Sequence, residues 1–217
     1  MTNTLFPHGI IAINKPIGPT SHRMINLVRR ASNEKRVGHA GTLDPLASGV
    51  LVFGIGREFT KQLDSFVLGE KVYESEFTLG VTSSTDDEQG EKTFMSNCKQ
   101  PSIEEVNAAL QKFVGTIWQI PPQFSAIKIN GQKAYALARK GRIVAMEPRE
   151  REVKAIELLA YTWPKLRLRI TTGKGVYIRA LARDLGEALG TGAYMSALVR
   201  TRVGQFGLED CAALLEK

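Results

Sequence analysis

The sequence predicts an α+β fold with a mixed or antiparallel sheet. In residues 166–170 apolar side chains alternate with two arginines, which is typical of a strand that buries one face. In residues 178–189 apolar side chains recur at helical spacing, and Gly190 lies just past the end. The other predicted strands and helices follow no regular strand–helix–strand order, so a sheet built from repeated parallel crossovers is not expected.

Five elements are predicted in the first eighty residues. Short apolar runs are typical of buried strands, and Thr20-Ser21 supplies hydroxyl side chains that cap a helix N-terminus. The predicted elements are a strand at Ile10–Ile13, a helix from Thr20-Ser21 to about Arg30, a strand at Val50–Phe53, a helix at Arg57–Phe66 and a strand at Lys71–Leu79.

The remainder of the chain is predicted to contain one long polar loop, at residues 81–99, and further elements. Ser102 and Glu105 have the spacing of a capping box, in which each side chain bonds the other residue's backbone N–H. The predicted elements are a helix from Ser102 to about Val114, a hairpin of strands 151–161 and 166–171 around Trp163-Pro164, the helix at 178–189, a strand near Leu198–Val203 and a short helix from Asp210.

The composition, with 43% hydrophobic and 24% charged residues, is ordinary for a globular domain. The apolar runs are shorter than a membrane span requires, and the N-terminus lacks the pattern of a signal peptide. The two cysteines are far apart in sequence and form no CxxC motif, and no HExxH motif occurs. We therefore expect a cytoplasmic protein without a metal, a cofactor or a membrane partner.

Positive charge is concentrated in the second half of the chain. The formal net charge is +7, but residues 1–123 hold 12 Lys and Arg against 13 Asp and Glu, while residues 124–217 hold 17 against 9. Residues 124–146 contain no acid. Such a one-sided distribution favours a polyanionic partner, because bound phosphates release counterions. A basic, solvated surface explains the same counts, so charge alone leaves both interpretations open.

The stretch GHAGTLDPLASGVL, residues 38–51, holds the candidate catalytic carboxylate. Its three glycines directly precede a predicted strand and allow the backbone to approach a ligand or to fold tightly on itself. Pro45 biases Asp44 toward an extended conformation, which suits a carboxylate presented at a loop tip. A turn in which Asp44 caps backbone amides is the simpler local interpretation. The stretch matches neither a phosphate-binding loop nor a dinucleotide fingerprint.

Besides residues 38–51, the sequence contains five further motifs: KPIGPTS at 15–21, KVY at 71–73, PPQFSAIK at 121–128 followed by Gly131 and Tyr135, GVYIR at 175–179 with DLG at 184–186, and LVRTRVG at 198–204. Together these six ordered blocks resemble the TruB family of pseudouridine synthases, which isomerise uridine 55 in the T arm of tRNA. They span about residues 13–206, so chance is a poor explanation. The resemblance implies the pseudouridine synthase fold, whose mixed, mostly antiparallel central sheet is flanked by helices and crossed by the active-site cleft.

The resemblance implies a catalytic set of Asp44, Tyr73 and Arg179. Asp44 falls on the family's aspartate, which acts as a nucleophile at the sugar or as the base that forms a glycal. Arg179 falls on the arginine that pairs with this aspartate, and a nearby guanidinium favours the ionised carboxylate. Tyr73 falls on the tyrosine that stacks on the base and takes part in proton transfer. By local pattern alone, Tyr73 is a core residue and Arg179 a surface residue.

The resemblance also implies substrate-binding residues. His39 falls on the histidine that occupies the space left by the flipped-out base. Leu198 falls on the apolar wall behind the uracil, although a plain core role fits it equally. The basic segment at about 121–147 lies where the family carries an RNA-gripping insertion. The remaining candidates are Lys15, Gly41, Thr42, Lys128, Arg142 and Tyr177.

One catalytic domain over residues 1–217 is expected, acting as a monomer on the T arm of tRNA. Family members commonly carry a C-terminal PUA-type RNA-binding domain, but only about eleven residues follow Phe206. That domain is therefore expected to be absent. Two other functions remain open: an RNA chaperone that grips the T arm, and a pseudouridine synthase that acts on another RNA.

Overall fold

A computed structural model describes residues 6–125, 127–129, 131–138, 141 and 144–213 of the chain. The chain divides into two compact units. The first unit comprises the chain up to Glu74 and again from Leu198, and the second comprises residues 75–197. The first unit is thus built from both ends of the sequence.

The helices and strands follow one another without a regular alternation, as predicted. The helices are α1 (Ser21–Ser32), α2 (Arg57–Thr60), α3 (Leu63–Leu68), α4 (Ile103–Gln111), α5 (Ala134–Ala138) and α6 (Ile178–Ala188). Within the described ranges, every helix is too short or too polar to span a bilayer. The strands are β1 (Gly9–Lys15), β2 (Val37–Ala40), β3 (Ser48–Ile55), β4 (Lys71–Leu79), β5 (Val81–Ser83), β6 (Lys92–Phe94), β7 (Gly115–Gln119), β8 (Lys128–Ile129), β9 (Gln132–Lys133), β10 (Arg149–Thr162), β11 (Lys165–Thr172), β12 (Ala193–Val203), β13 (Phe206–Gly207) and β14 (Cys211–Ala212).

Strand β3 is central to the sheet of the first unit, whose strand order is β14-β1-β3-β12-β4. Strands β1 and β2 pair antiparallel with β3, whereas β12 pairs parallel with it, Val199 opposite Ser48. All residues of β3 after Ser48 are buried. The apolar run predicted as a buried strand is therefore a central strand, and the predicted mixed, mostly antiparallel sheet is confirmed.

The helix predicted after Thr20 is present as α1. The Thr20 hydroxyl accepts a hydrogen bond from the backbone N–H of Arg23 at 3.1 Å, which satisfies one unpaired donor of the first turn. The single helix predicted for residues 57–66 is instead two short helices, α2 and α3. Gln62 N donates to Phe59 O at 3.1 Å, a three-residue spacing that interrupts the four-residue helical ladder.

In the second unit the strand order is β12-β4-β11-β10-β7. The predicted hairpin around Trp163-Pro164 is formed by β10 and β11, and the apolar residues of the alternating segment 166–170 are buried. The capping box is present, with Glu105 N donating to Ser102 Oγ at 3.2 Å and Ser102 N to Glu105 Oε2 at 2.7 Å. Helix α6 ends before Gly190, whose φ of 68° is a left-handed conformation.

Two further predictions were wrong. Residues 81–99, predicted as a loop, contain the β5–β6 hairpin, whose connecting turn is held by the Lys92 ammonium donating to carbonyls of Glu88 and Gly90. The short helix predicted from Asp210 is replaced, over residues 211–212, by β14, which pairs parallel with β1. Both segments form strands too short for periodicity to identify, so tertiary pairing decides their structure.

Candidate active site

Asp44 lies on the loop of residues 41–47 that connects β2 to β3, and its side chain is half-buried. Gly41 adopts a φ of 76°, which a residue with a side chain rarely tolerates. At the other end of the loop, a Cβ on Gly49 would clash with the backbone of Arg200 on β12. The predicted role of the glycines in tight backbone approach is therefore confirmed, and the neighbour that approaches Gly49 is protein backbone.

The KPIGPTS segment holds the backbone on both sides of Asp44. The buried Ser21 hydroxyl accepts from Leu43 N at 2.9 Å and donates to Leu43 O at 3.0 Å. Gly18 N donates to Pro45 O at 2.8 Å. Because both neighbours of Asp44 are bonded to residues from the same segment, the direction in which its carboxylate leaves the backbone is fixed. Ser21 was predicted only as part of a helix cap.

Replacing Ser21 with alanine should slow the chemical step while the protein stays folded. The change leaves the buried N–H and C=O of Leu43 without the hydroxyl, at a cost of about 1–3 kcal/mol in unfolding free energy. The loosened loop should lower the single-turnover rate of isomerisation by roughly 100-fold, since small misplacements of reacting groups have effects of that order. Quench-flow kinetics with saturating protein measure this rate.

Ser32→Ala is the matched control, because Ser32 lies on the same helix and is also buried. Its hydroxyl donates only to Val28 O, at 2.8 Å, within α1. We expect a rate within about twofold of the wild type. Equal losses in the Ser21 and Ser32 variants would contradict a specific effect of Ser21 on the loop.

Lys15 is a fully buried cation in the electrostatic range of Asp44. It ends β1 with 0% of its surface exposed, and its ammonium donates to Pro16 O at 2.8 Å and to Pro19 O at 3.0 Å. Burial lowers the pKa of Lys15 from 10.5 to about 8, while the Asp44 carboxylate pulls that pKa upward and Arg200 pushes it down. Lys15 thus shapes the segment that flanks the loop and also supplies positive charge near Asp44.

The pH dependence of the reaction should reveal Lys15. Its ammonium loses its proton at about pH 8, so the single-turnover rate should fall above that pH as positive charge near Asp44 disappears. Between pH 8 and 10.5 the unfolded chain holds this proton more tightly than the folded chain. Deprotonation of Lys15 therefore adds stability as pH rises, and the fall in rate does not come from Lys15 unfolding the protein.

The variant Lys15→Met should lack this alkaline limb. Lys71→Met is the matched control, since the pKa of Lys71 is also lowered to about 8, by burial and by Arg200. The Lys71 side chain also approaches Gly41, but Asp44 is not among the causes that shift its pKa, and its ammonium donates to Val67 O and Gly69 O, so that variant should keep the limb. An alkaline limb that persists in Lys15→Met and vanishes in Lys71→Met would assign the titration to Lys71 and contradict the predicted role of Lys15.

Tyr73 on β4 and Leu198 on β12 are both buried, each about 7% exposed. Arg200, two residues beyond Leu198, is 1% exposed and donates to Val50 O at 2.8 Å and to Gly41 O at 3.0 Å. Our sequence interpretation missed Arg200. The available signal was strand parity, because residues 198 and 200 face the same side of a strand and Leu198 was placed inward.

His39, Gly41 and Thr42 lie at or next to the start of this loop. His39 is half-buried on β2, and its ring meets Phe53 edge to face at a centroid distance of 6.4 Å. Burial lowers the pKa of His39 below 6.5, and the charges of Arg200 and His22 lower it further, so the neutral form is favoured at pH 7. Thr42 is exposed.

Arg179 lies in the second unit, at the second position of α6, and is 6% exposed. Its Nη1 lies 3.3 Å from Asp87 Oδ2, and its Nη2 donates to Phe124 O at 3.0 Å. The buried carboxylate of Asp87, 3% exposed, compensates a cation that the helix N-terminus disfavours. The alternative of a surface arginine is thus excluded. Asp44 belongs to the other unit, so its pairing with Arg179 remains a prediction.

Tyr177 immediately precedes α6 and is held by one glutamine. Gln119 Nε2 donates to Tyr177 O at 3.0 Å, and Tyr177 N donates to Gln119 Oε1 at 2.8 Å. Burial raises the pKa of the Tyr177 phenol, which keeps it neutral, although Arg151 and Arg149 act in the opposite direction. The backbone of Lys128 lies in β8, but its side chain and all of Arg142 lie outside the described residues.

Two family models match the sequence. The model described as the TruB family pseudouridylate synthase N-terminal domain matches residues 29–178, and the model described as the tRNA pseudouridylate synthase B C-terminal domain matches residues 179–216. The chain belongs to the TruB family. The predicted family membership and the predicted identity as a pseudouridine synthase are therefore confirmed.

Curated relatives of this TruB-family chain are named tRNA pseudouridine synthase B. The relative from Protochlamydia amoebophila is 45% identical over 94% of this chain and 77% of its own length. The relative from Dehalococcoides mccartyi strain CBDB1 is 47% identical over 93% of this chain and 67% of its own length. The relative from Mycobacterium tuberculosis H37Rv is 45% identical over 95% of this chain and 70% of its own length.

Solved structures support the fold. A chain of a Cbf5–Nop10–Gar1 complex matches with a TM-score of 0.72 and 30% identity over 92% of this chain and 50% of its own length. A chain of an archaeal box H/ACA Nop10–Cbf5 complex matches with a TM-score of 0.70 and 28% identity over 95% of this chain and 51% of its own length. This TruB-family chain spans about half the length of those proteins, and it shares their fold.

Proposed function

We propose that this TruB-family chain isomerises uridine 55 in the T arm of tRNA to pseudouridine. The proposal rests on the placement of Asp44. The backbone of the residue on each side of Asp44 is held by hydrogen bonds, and the Asp44 carboxylate lies in the electrostatic range of the buried Lys15. In the reaction the N1–C1′ bond breaks, C5 bonds to C1′, C5 loses a proton and N1 gains one. The isomerisation needs no co-reactant.

Asp44 is the proposed catalytic carboxylate. It attacks C1′ as a nucleophile, or it removes the C2′ proton as the base that forms a glycal. Tyr73 stacks on the uracil and takes part in moving the C5 proton, and Leu198 forms the apolar wall behind the base. Arg179 keeps the Asp44 carboxylate ionised, because a nearby guanidinium favours the charged form.

The proposed substrate is everted before it reacts. Uridine 55 is stacked inside the T loop, and flipping it out costs a few kcal/mol, roughly, for unstacking. A neutral, half-buried imidazole at His39 suits the space left by the base, since it stacks without adding a buried charge. The acid-free segment 124–146 supplies cations for phosphate contacts along the T arm. We place this reaction in the cytoplasm and assign it to the monomer.

Mapping pseudouridine in a defined transcript tests the proposal. Purified protein is incubated with unmodified tRNA, and modified positions are located by carbodiimide treatment and primer extension. A single stop at position 55 is expected, and a transcript with cytidine 55 should show none. A stop elsewhere would indicate another RNA target. Tight binding without any modification would indicate the chaperone function.

A further inference from the structure

Helix α1 and the turn that follows it present a basic face to solvent. The opposite side of the helix buries Met24, Ile25 and Val28, and it packs against β2 and β3. The exposed side carries arginines where an ordinary surface helix carries residues of both signs. The exposed cations of the helix and the turn are Arg23, Arg29, Arg30, Lys35 and Arg36.

This basic face contrasts with the remainder of the first half of the chain. Residues 1–43 hold six Lys and Arg and one acid, Glu34, whereas residues 44–123 hold six Lys and Arg and twelve Asp and Glu. A surface that serves solubility alone interleaves the two signs. The concentration of one sign on a single helix therefore favours a partner of opposite charge.

The single acid of this stretch does not neutralise the arginines. Glu34 Oε2 lies 3.0 Å from His8 Nε2, and Glu34 Oε1 accepts from the backbone N–H of Arg36 at 2.6 Å. Arg29 donates to the Asn26 side chain at 3.5 Å. Among the described residues, none of the five exposed cations forms an ion pair with a carboxylate. Their positive charge is therefore available to an external anion.

Helix stability explains only part of this charge. Arg29 and Arg30 lie in the last turn of α1, where a cation suits the partial negative charge of the helix C-terminus. Arg23 lies in the first turn, where a cation is disfavoured, and that turn contains no acid. Lys35 and Arg36 lie beyond the helix. The full set of five thus requires an explanation other than the helix dipole.

The basic face begins beside the candidate catalytic loop. Ser21, the first residue of α1, bonds Leu43 directly before Asp44. Twelve residues that each rise about 1.5 Å give α1 a length of about 18 Å. Arg23 and Arg30 are seven residues apart, about two helical turns, so they lie on the same side of the helix. The cations therefore form a row that starts next to the loop and extends away from it within the first unit.

We propose that the basic face of α1 binds the phosphate backbone of the RNA strand next to the nucleotide that Asp44 attacks. This inference rests on the proposed function, which places a nucleotide at Asp44. An RNA strand continues from that nucleotide as a row of negative charges, and a guanidinium donates two parallel hydrogen bonds to a phosphate. The contact is separate from the one proposed for segment 124–146, which belongs to the second unit.

The salt dependence of tRNA binding by a double variant, Arg29→Gln with Arg30→Gln, tests the proposal. Glutamine keeps the helix propensity of arginine and removes its charge. We expect the Kd for tRNA to rise by about 10-fold at about 0.1 M salt, and the slope of log Kd against log salt to fall by about one to two, because each lost phosphate contact removes about one released ion. At saturating protein the single-turnover rate should fall by no more than about threefold, since these side chains touch no reacting atom.

Lys99→Gln with Lys112→Gln is the matched control. Both lysines are exposed in the second unit, so this variant loses the same two positive charges outside α1. Its Kd and salt slope should stay within about twofold of the wild type, because net charge alone is a small contribution beside a phosphate contact. Thermal melts identify which variants are folded, and Arg23→Gln is the replacement test if the double variant of α1 unfolds.

Phosphate-ethylation interference locates the contact on the RNA. With the wild type, ethylation of phosphates within a few nucleotides of uridine 55 should weaken binding, because an ethylated phosphate has lost its charge. With the α1 double variant, interference at some of these phosphates should disappear. Interference that disappears only at phosphates remote from uridine 55 would overturn the placement beside the reacting nucleotide.

Three further results would overturn the proposal. The first is an unchanged Kd and salt slope in the folded α1 variant, which would make the face an ordinary solvated surface. The second is an equal loss in the control, and the third is a slower reaction at saturating protein with an unchanged Kd. Because Kd is measured without turnover, a wild-type protein that binds tRNA and modifies no uridine would refute the proposed function and not the contact with α1.

Discussion

Asp44→Asn should abolish pseudouridine formation. Asparagine has nearly the same shape, so the hydrogen bonds around Leu43 and Pro45 are retained, but its amide is neither a nucleophile nor a base. The single-turnover rate should therefore fall by at least about 10⁴-fold. Acid hydrolysis of the tRNA product and chromatography of its nucleosides measure the conversion.

Binding and folding should survive that substitution. The Kd for tRNA, measured by filter binding at fixed salt, should stay within about threefold of the wild type. Asp64→Asn is the matched control, because Asp64 is an exposed carboxylate in the first turn of α3 within the same unit. Its rate should be unchanged within about twofold. Turnover at the wild-type rate by Asp44→Asn would refute the assignment of the catalytic carboxylate.

Asp87→Asn should cause the largest loss of stability among the polar substitutions considered. The carboxylate is 3% exposed, lies 3.3 Å from Arg179 and accepts from Gln89 N at 3.0 Å. An amide places its NH₂ group against one of these two donors and removes the charge that Arg179 faces. Losing one partner of a buried ion pair costs about 3–5 kcal/mol, and urea denaturation measures the change in unfolding free energy.

Asp86→Asn is the neighbouring control. Asp86 lies 2.9 Å from Arg183, but that pair is more exposed. Burial raises the pKa of Asp86 despite Arg183, so the folded state already disfavours the ionised carboxylate. Its loss should cost less than about 1 kcal/mol. Equal losses of unfolding free energy in the two variants would contradict a larger contribution of the Arg179–Asp87 pair to the stability of the second unit.

Local pattern was sufficient for the elements whose side chains repeat with a clear period. The capping box at Ser102, the N-cap at Thr20 and the alternating strand at 166–170 all form as predicted, because each depends on residues within a few positions of one another. The predictions for short segments were wrong. Two residues, 211–212, become a strand because β1 offers an unpaired edge, and no window of sequence contains that information.

In the candidate site, too, some features could be predicted from sequence motifs and others depend on tertiary contacts. Ordered motifs alone were sufficient to select Asp44 and to identify the family, since six blocks keep their order over most of the chain. They did not indicate that Ser21 bonds both backbone groups of Leu43, or that Asp87 is the buried partner of Arg179. Those contacts join residues separated by 22 and 92 positions.

The sequence by itself determined the family and the α+β class, and it selected Asp44 as the proposed catalytic carboxylate. Only the tertiary structure decided which charges are buried: Lys15 and Arg200 resemble surface residues in a sequence, yet each is at most 1% exposed. The physical reason is that desolvation depends on every segment that packs around a group. A one-dimensional pattern records the period of a strand or helix, but it does not record what covers the side chain.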